Sequence, residues 1–253
     1  KKDPQLAVEV QKNLLIAHTK VYSALKKLPN GNISHIGLVK NIMQFDPYRR
    51  YNILDWLVCL LVNKIFNGIS LSYLKTGKIN VKIPFFINIK YKLEEAKLAT
   101  DFFGLNYYSH NHLKFKFDSY EFFESKFLNG DILTDMPYSI YPEGFYRAIK
   151  ELSFINKPII ITENGIADAK DDRRSIFIKR YIYAMHKAIN EGANVIGYFY
   201  WSLMDNFEWA EGYEMKFGLY EVDFDTQKRK LRKGSNSFMQ IVKKFNKDQI
   251  HRV

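Results

Sequence analysis

The sequence predicts an α/β fold of the (β/α)8 barrel class, on three observations. Four continuous apolar runs read as buried parallel strands, and helical patterns alternate with them. Each polar cluster also sits at the C-terminal end of one of these runs, the edge where such a barrel gathers its chemistry. The 253 residues are enough for one sizeable core, and 47% hydrophobic with 16% aromatic content excludes a disordered chain.

The first helix is predicted to open at Asp3-Pro4, where an acceptor side chain precedes proline, and Leu14, His18, Val21, Tyr22 and Leu25 form its expected apolar stripe. The four strands are expected in Ile33–Met43, Asp101–Ser109, Lys157–Gly165 and Asn194–Leu203. The run Ile53–Phe66 is interrupted by Asp55, Asn63 and Lys64, too short and broken to span a bilayer, and reads as a core helix. A helix over Asp172–Glu191 places Phe177, Tyr181, Ala184, Met185 and Ala188 on one face and stops at Gly192. A last helix is expected over Ser235–Phe245, and long loops over Thr76–Tyr91 and Lys114–Tyr141.

Several function classes drop out. No glycine-rich phosphate cradle accompanies the strands, which removes the best evidence for a dinucleotide fold. Lys and Arg exceed Asp and Glu by 38 − 27 = 11, but apart from the run Lys228–Lys233 they are dispersed and carry no nucleic-acid motif. A solvated lysine-rich surface is the reading, with neither nucleic acid nor membrane as partner. His110 and His112 stand two apart on an expected strand end or loop without a third ligand nearby, so histidines with ordinary hydrogen bonds are expected and no metal. Cys59 is the single cysteine and no signal peptide is visible, which gives a cytoplasmic expectation.

The stretch PIIITENG (158–165) carries a strand straight into Glu163. A lone acid at a strand mouth is usually just solvated. Here Asn106, Tyr107 and Tyr108, Glu163 and Asn164, and Trp201 and Ser202 all fall at the same predicted edge, and WSLMDNFEW (201–209) adds Asp205, Glu208 and a second indole. A carboxylate can attack a sugar's electrophilic carbon, a phenol can orient it, and indole faces bind the C–H face of a pyranose.

ITENG followed by GYFYWSLMDNFEWAEGYEMKFGLYEVDF resembles glycoside hydrolase family 1, the retaining β-glycosidases that include β-glucosidases. NLLIAHTKVY (13–22), DFFGLNYYS (101–109), IYPEGFY (140–146) and TQKRK (226–230) resemble further signatures of that family in its order, and the match is weakest over Arg49–Lys97. The resemblance implies Glu163 as nucleophile, oriented by Tyr108. It implies Asn106, Trp201, Glu208 and Trp209 as sugar-binding residues, with no cofactor. Members acting on 6-phosphorylated sugars carry a serine where Glu208 stands, so a non-phosphorylated substrate is implied, because a carboxylate would repel phosphate.

One family feature is missing. The acid/base glutamate lies in an Asn-Glu-Pro motif, which occurs nowhere in these residues. The four strands then correspond to the fifth to eighth of the barrel, and residues 1–253 to the C-terminal half of a single barrel domain. A chain starting at Lys1-Lys2-Asp3 without an initiator Met fits that expectation. A half-barrel would leave two open sheet edges and an apolar interior, to be covered by the missing half or by self-association. The competing expectations are a non-catalytic sugar-binding half-barrel, a decayed enzyme, and an S-glycosidase without the usual acid.

Overall fold

The structure is a computed structural model describing residues 3–83, 87–118 and 121–250, residues 246–250 by backbone alone. Helix α1 (Pro4–Lys26) starts as expected, the Asp3 carboxylate accepting from the Leu6 N–H at 3.0 Å. Its buried face is not the expected stripe. Val8, Leu15 and Thr19 face inward, whereas Leu14, Val21 and Leu25 face solvent; of the expected stripe only His18 and Tyr22 are partly covered. The helix carries two apolar stripes, and periodicity alone does not say which one meets the core.

Strands β1 (Gly37–Asn41) and β2 (Gln44–Pro47) follow. Helix α2 (Ile53–Asn63) is capped by the Asn52 side chain and runs through a π-turn at Lys64–Gly68 into α3 (Ile69–Thr76). The sequence reading of this run as a core helix needs correction. Asp55, Val58 and Cys59 are buried, but Ile53, Leu54, Trp56, Leu57, Leu60 and Leu61 are exposed.

The expected loop at Thr76–Tyr91 is, among its described residues, an antiparallel hairpin of β3 (Lys78–Ile83) and β4 (Ile87–Lys92). Its strict alternation buries Ile79, Val81, Ile87 and Ile89 against α1 and α3. Gly77, at φ +70°, closes α3 in the left-handed conformation that glycine adopts without cost. Residues 84–86 lie outside the described residues.

Strand β5 (Phe102–Asn106) is followed by β6 (His110–Phe115) and β7 (Phe123–Lys126), so part of the second expected loop is also strand; residues 119–120 lie outside the described residues. Pro142 sits at the first position of α4 (Pro142–Ser153). Strand β8 (Ile159–Asn164), helix α5 (Arg174–Asn190), strand β9 (Val195–Tyr200), a small pair β10 (Tyr220–Val222) and β11 (Arg229–Leu231), and α6 (Asn236–Ile250) complete the chain.

All four expected strands form one parallel sheet in the order β1-β5-β8-β9. A second sheet, β2-β6-β7, continues beyond its C-terminal edge. Phe103, Leu105, Ile159 and Ile161 are fully buried beneath α4 and α5, where they meet Phe145, Ile149, Phe177 and Tyr181. Burial of each such side chain contributes roughly 1.5–3 kcal/mol. The other sheet face is open: Val39 and Phe199 are 50% and 63% exposed. A rigid half-sandwich thus aims the strand ends, and the residues just beyond them, at one edge.

Candidate active site

Glu163 is the penultimate residue of β8 and pairs in register with Asn106 at the end of β5. Two residues past that pair, the Tyr108 hydroxyl donates to Glu163 Oε2 at 2.6 Å, the one hydrogen bond to this carboxylate among the described residues. Burial, the hydrogen bond to Glu163 and the nearby carboxylate charges together push the Tyr108 phenol far above its ordinary range. It therefore stays protonated and acts only as donor. The bond fixes one carboxylate oxygen and leaves the other uncommitted.

Neighbouring residues lock this geometry. The Asn164 amide donates to the Tyr107 carbonyl at 2.7 Å and accepts from the Tyr198 hydroxyl at 2.9 Å, tying β8 to the chain beyond β5 and to β9. Thr162 Oγ1 donates to Asn106 Oδ1 at 2.6 Å, which leaves the Asn106 amide NH2 for another acceptor. Gly165 has no substitute: a Cβ there would stand 1.6 Å from the Trp201 carbonyl oxygen. That close approach brings Trp201 to the Glu163 strand end, its N–H bonded to the Asn164 carbonyl at 3.0 Å.

Trp201 in turn donates its indole N–H to Glu208. Partial burial raises the Glu208 carboxyl above its usual range, and the negative charges of Glu163 and Glu211 push the same way against the Trp201 bond. Glu163 and Glu208 therefore share one electrostatic neighbourhood. Trp209 is 84% exposed at the outer rim, one residue beyond Glu208.

Other polar residues of the cluster have structural work. Asp205 is buried, accepts from the Gly218 N–H at 2.9 Å and pairs with Arg232 at 2.7 Å. The Ser202 hydroxyl donates to the Met204 carbonyl at 2.8 Å, and Tyr107 is fully buried against Phe145 and Tyr181. Tyr138 was not anticipated: its ring lies 6.4 Å from that of Tyr108, and burial plus the charges of Glu208 and Glu211 raise its phenol. It comes from the Lys114–Tyr141 segment, where no periodic pattern marks it.

The two histidines lie on a strand, and His110 lacks, among the described residues, the ordinary hydrogen bonds expected of it. His110 and His112 are buried on β6, and His110 stacks on Tyr141 at 3.8 Å with neither ring nitrogen hydrogen-bonded among the described residues. No group of three or more His, Cys, Asp or Glu able to hold a metal occurs among the described residues.

Comparison with known proteins gives concordant matches. The model of a family described as glycosyl hydrolase family 1 matches residues 1–247. A "Beta-galactosidase" of Pyrococcus woesei is 34% identical over 200 residues, 71% of this chain and 38% of the relative. A "6-phospho-beta-galactosidase" of Streptococcus mutans is 32% identical over 269 residues, 88% of this chain and 57% of the relative. The solved structure titled "Family 1 b-glucosidase from Thermotoga maritima" superposes with a TM-score of 0.80 at 30% identity, covering 91% of this chain and 55% of that one. The chain spans about half the length of the proteins it matches.

Proposed function

This chain belongs to glycosyl hydrolase family 1, and from that premise we propose that the protein carrying it is a retaining β-glycosidase. Its substrates are non-phosphorylated β-glycosides, and Glu163 forms the glycosyl-enzyme intermediate. The observation that carries the reading is the Tyr108 hydroxyl donating to Glu163 Oε2 at 2.6 Å at the C-terminal edge of a parallel sheet.

A nucleophilic carboxylate must be ionised, rigidly aimed and open on one oxygen. A phenol held neutral by burial donates to one carboxylate oxygen and fixes its plane without competing as a base. Asn106, Trp201 and Glu208 line the same edge and suit a pyranose, with an amide, an indole and a carboxylate for its hydroxyls. The exposed Trp209 closes the outer rim over the sugar. No cofactor enters this reading.

Retaining hydrolysis also needs a general acid about 5–5.5 Å from the nucleophile. Asp205 cannot serve, being committed to Arg232 and backbone N–H groups. Glu208 is held by Trp201 as a sugar-binding acceptor. The reading therefore puts the acid on a part of the protein outside these residues, these four strands being the fifth to eighth of the barrel. Two open edges on the β1-β5-β8-β9 sheet and relatives about twice as long support that assignment.

One relative's name refers to 6-phosphorylated galactosides, which gives a second reading. Glu208 weighs against it, because a carboxylate beside Glu163 adds negative charge where a phosphate dianion would have to sit.

Glu163→Gln in the full-length protein tests the proposal, with aryl β-glucoside, β-galactoside and their 6-phospho forms as substrates. Turnover of the unphosphorylated substrates should fall by at least about 10³-fold, and the mass of a trapped glycosyl-enzyme should disappear. Normal turnover by the variant would overturn the role of Glu163. Preference for the 6-phospho substrates would overturn the substrate class.

A further inference from the structure

Helix α2 presents its apolar side to solvent. The side packed on β2 and β6 carries Asp55, Val58 and Cys59, and Asp55 is fully buried and clamped by Arg49 at 2.7 Å. The outward side carries Ile53, Trp56, Leu57 and Leu60, exposed by 72%, 48%, 49% and 63%, with Leu54 and Leu61 beside them. These positions repeat at helical spacing, so they form one stripe along three turns, without an acid in it. The continuous helical run Ile53–Thr76 is long and apolar enough to cross a membrane by length and composition. Only 39% of its most apolar window is buried in the protein. Exposure of so much contiguous apolar surface is unusual for a face that meets only water.

A second feature of the same Arg49–Lys97 segment concerns charge. The hairpin β3–β4, whose inner face packs on α1 and α3, shows Lys78, Asn80 and Lys82 on one strand and Asn88, Lys90 and Lys92 on the other. Lys78 stands directly opposite Lys92, and Asn80 opposite Lys90. Like charges facing each other on a two-stranded sheet oppose pairing. Lys92 is paired with Glu94 at 2.5 Å, while no ion pair holds Lys78, Lys82 or Lys90 among the described residues. A face meant only for solvation would gain from interleaved acids, and this one has none within its strands.

We propose that α2 lies on an anionic phospholipid surface, its Ile53–Leu61 stripe in the headgroup boundary and the hairpin lysines providing the attraction. Interfacial helices bury an apolar stripe about 5–10 Å deep and favour a tryptophan at the polar boundary. Trp56 fits that place, its indole N–H satisfied by the Arg50 carbonyl at 2.9 Å. The lysine ladder has no arginine and no outward aromatic ring. That suits a diffuse surface charge better than directed contacts to phosphates or bases. Each lysine near an acidic bilayer adds roughly fivefold in affinity. The inference is independent of the glycosidase reading, since none of these residues lies at the Glu163 edge.

The test is cosedimentation of the full-length protein with vesicles of phosphatidylcholine containing roughly 30% phosphatidylserine at physiological salt, against phosphatidylcholine alone. Binding to the acidic vesicles is expected. Leu57→Gln with Leu60→Gln should weaken it at least tenfold, and neither side chain is buried by the residues described. Lys78→Ser, Lys82→Ser and Lys90→Ser together should weaken it about a hundredfold, and arginine at the same three positions should retain it. Unchanged circular dichroism and glycoside turnover would show the variants are folded. No binding to acidic vesicles, or equal binding by both sets of variants, would overturn the proposal. So would a concentration-dependent dimer abolished by Leu57→Gln and Leu60→Gln, which would assign the stripe to a second copy of the chain.

Discussion

Glu163 and His110 are both titratable side chains near strand ends, but their surroundings give them different uses. At Glu163 a buried phenol donates to Oε2, so the carboxylate is aimed. His110 is buried without a partner for either nitrogen, stacked on Tyr141, and its titration is pushed down to about 4 by burial and by His112. The sign of the resulting pH dependence is fixed. The unfolded chain protonates this ring near its ordinary value of about 6.5, and the native state does so only near 4, so stability drains as pH falls between those values. Below about 4 the group's effect levels off. Between pH 7 and 4.5 the loss from this one ring is about 2–3 kcal/mol. In His110→Phe, which keeps an aromatic ring against Tyr141, urea unfolding should lose that much less stability over the same interval. An equal loss in both proteins would show that His110 is not a buried neutral imidazole. Burial at His110 was not legible in the sequence, because Leu113 is the one aliphatic residue in SHNHL and the covering ring comes from Tyr141.

Among the elements, the parallel strands were the most legible because each is a continuous apolar run covered by helices, and the register then carried Asn106, Tyr108 and Glu163 to one edge. The hairpin β3–β4 was less so: a lysine at every second or fourth position masked its alternation, although Ile79, Val81, Ile87 and Ile89 mark a clear inner face. Least legible were the long-range polar ties that hold the active edge together. Arg174, at the start of α5, is fully buried. It donates to the Tyr200 hydroxyl at 2.8 Å, to the Ile166, Phe217, Asp168 and Lys216 carbonyls, and to Asp171 at 2.9 Å. One guanidinium thus ties the loop after β8 to the loop that follows Trp201. Removing it leaves the Ile166 carbonyl without a donor among the described residues and takes one hydrogen bond each from the Phe217, Asp168 and Lys216 carbonyls and the Asp171 carboxylate. Arg174→Met should cost about 3–5 kcal/mol, measured by thermal or denaturant unfolding. Lysine should recover only part of it, since it lacks the planar fork that serves so many acceptors. A loss below about 1 kcal/mol for the methionine variant would mean the loops hold their positions without it.

For the whole molecule, the decisive quantity is the apolar surface that the described residues leave uncovered. The sheet ends in unpaired edges at β1 and β9, and Val39 and Phe199 are open on the face away from α4 and α5. The outward stripe of α1 adds Leu6, Val10, Leu14, Val21 and Leu25. Periodicity identified part of that stripe in the sequence and assigned it to a core, a correct reading of composition attached to the wrong partner. The stripe is suited to burial, but nothing among these residues buries it. An exposed edge and an apolar face on one molecule favour association over a free monomer. The 253 residues expressed alone should therefore sediment as species heavier than the 29.9 kDa monomer and take up a dye that reports apolar surface. Val39→Gln with Phe199→Gln should reduce both signals, whereas Leu57→Gln with Leu60→Gln, on a helix packed on β2 and β6, should leave the sheet-driven part in place. Full-length protein should show neither signal from these positions, because in a closed barrel the remaining strands pair with β1 and β9 and fill the interior. A stable, dye-negative monomer of the isolated 253 residues would mean that the open sheet face is tolerated in water. The case for a covering half would then rest on the missing general acid alone.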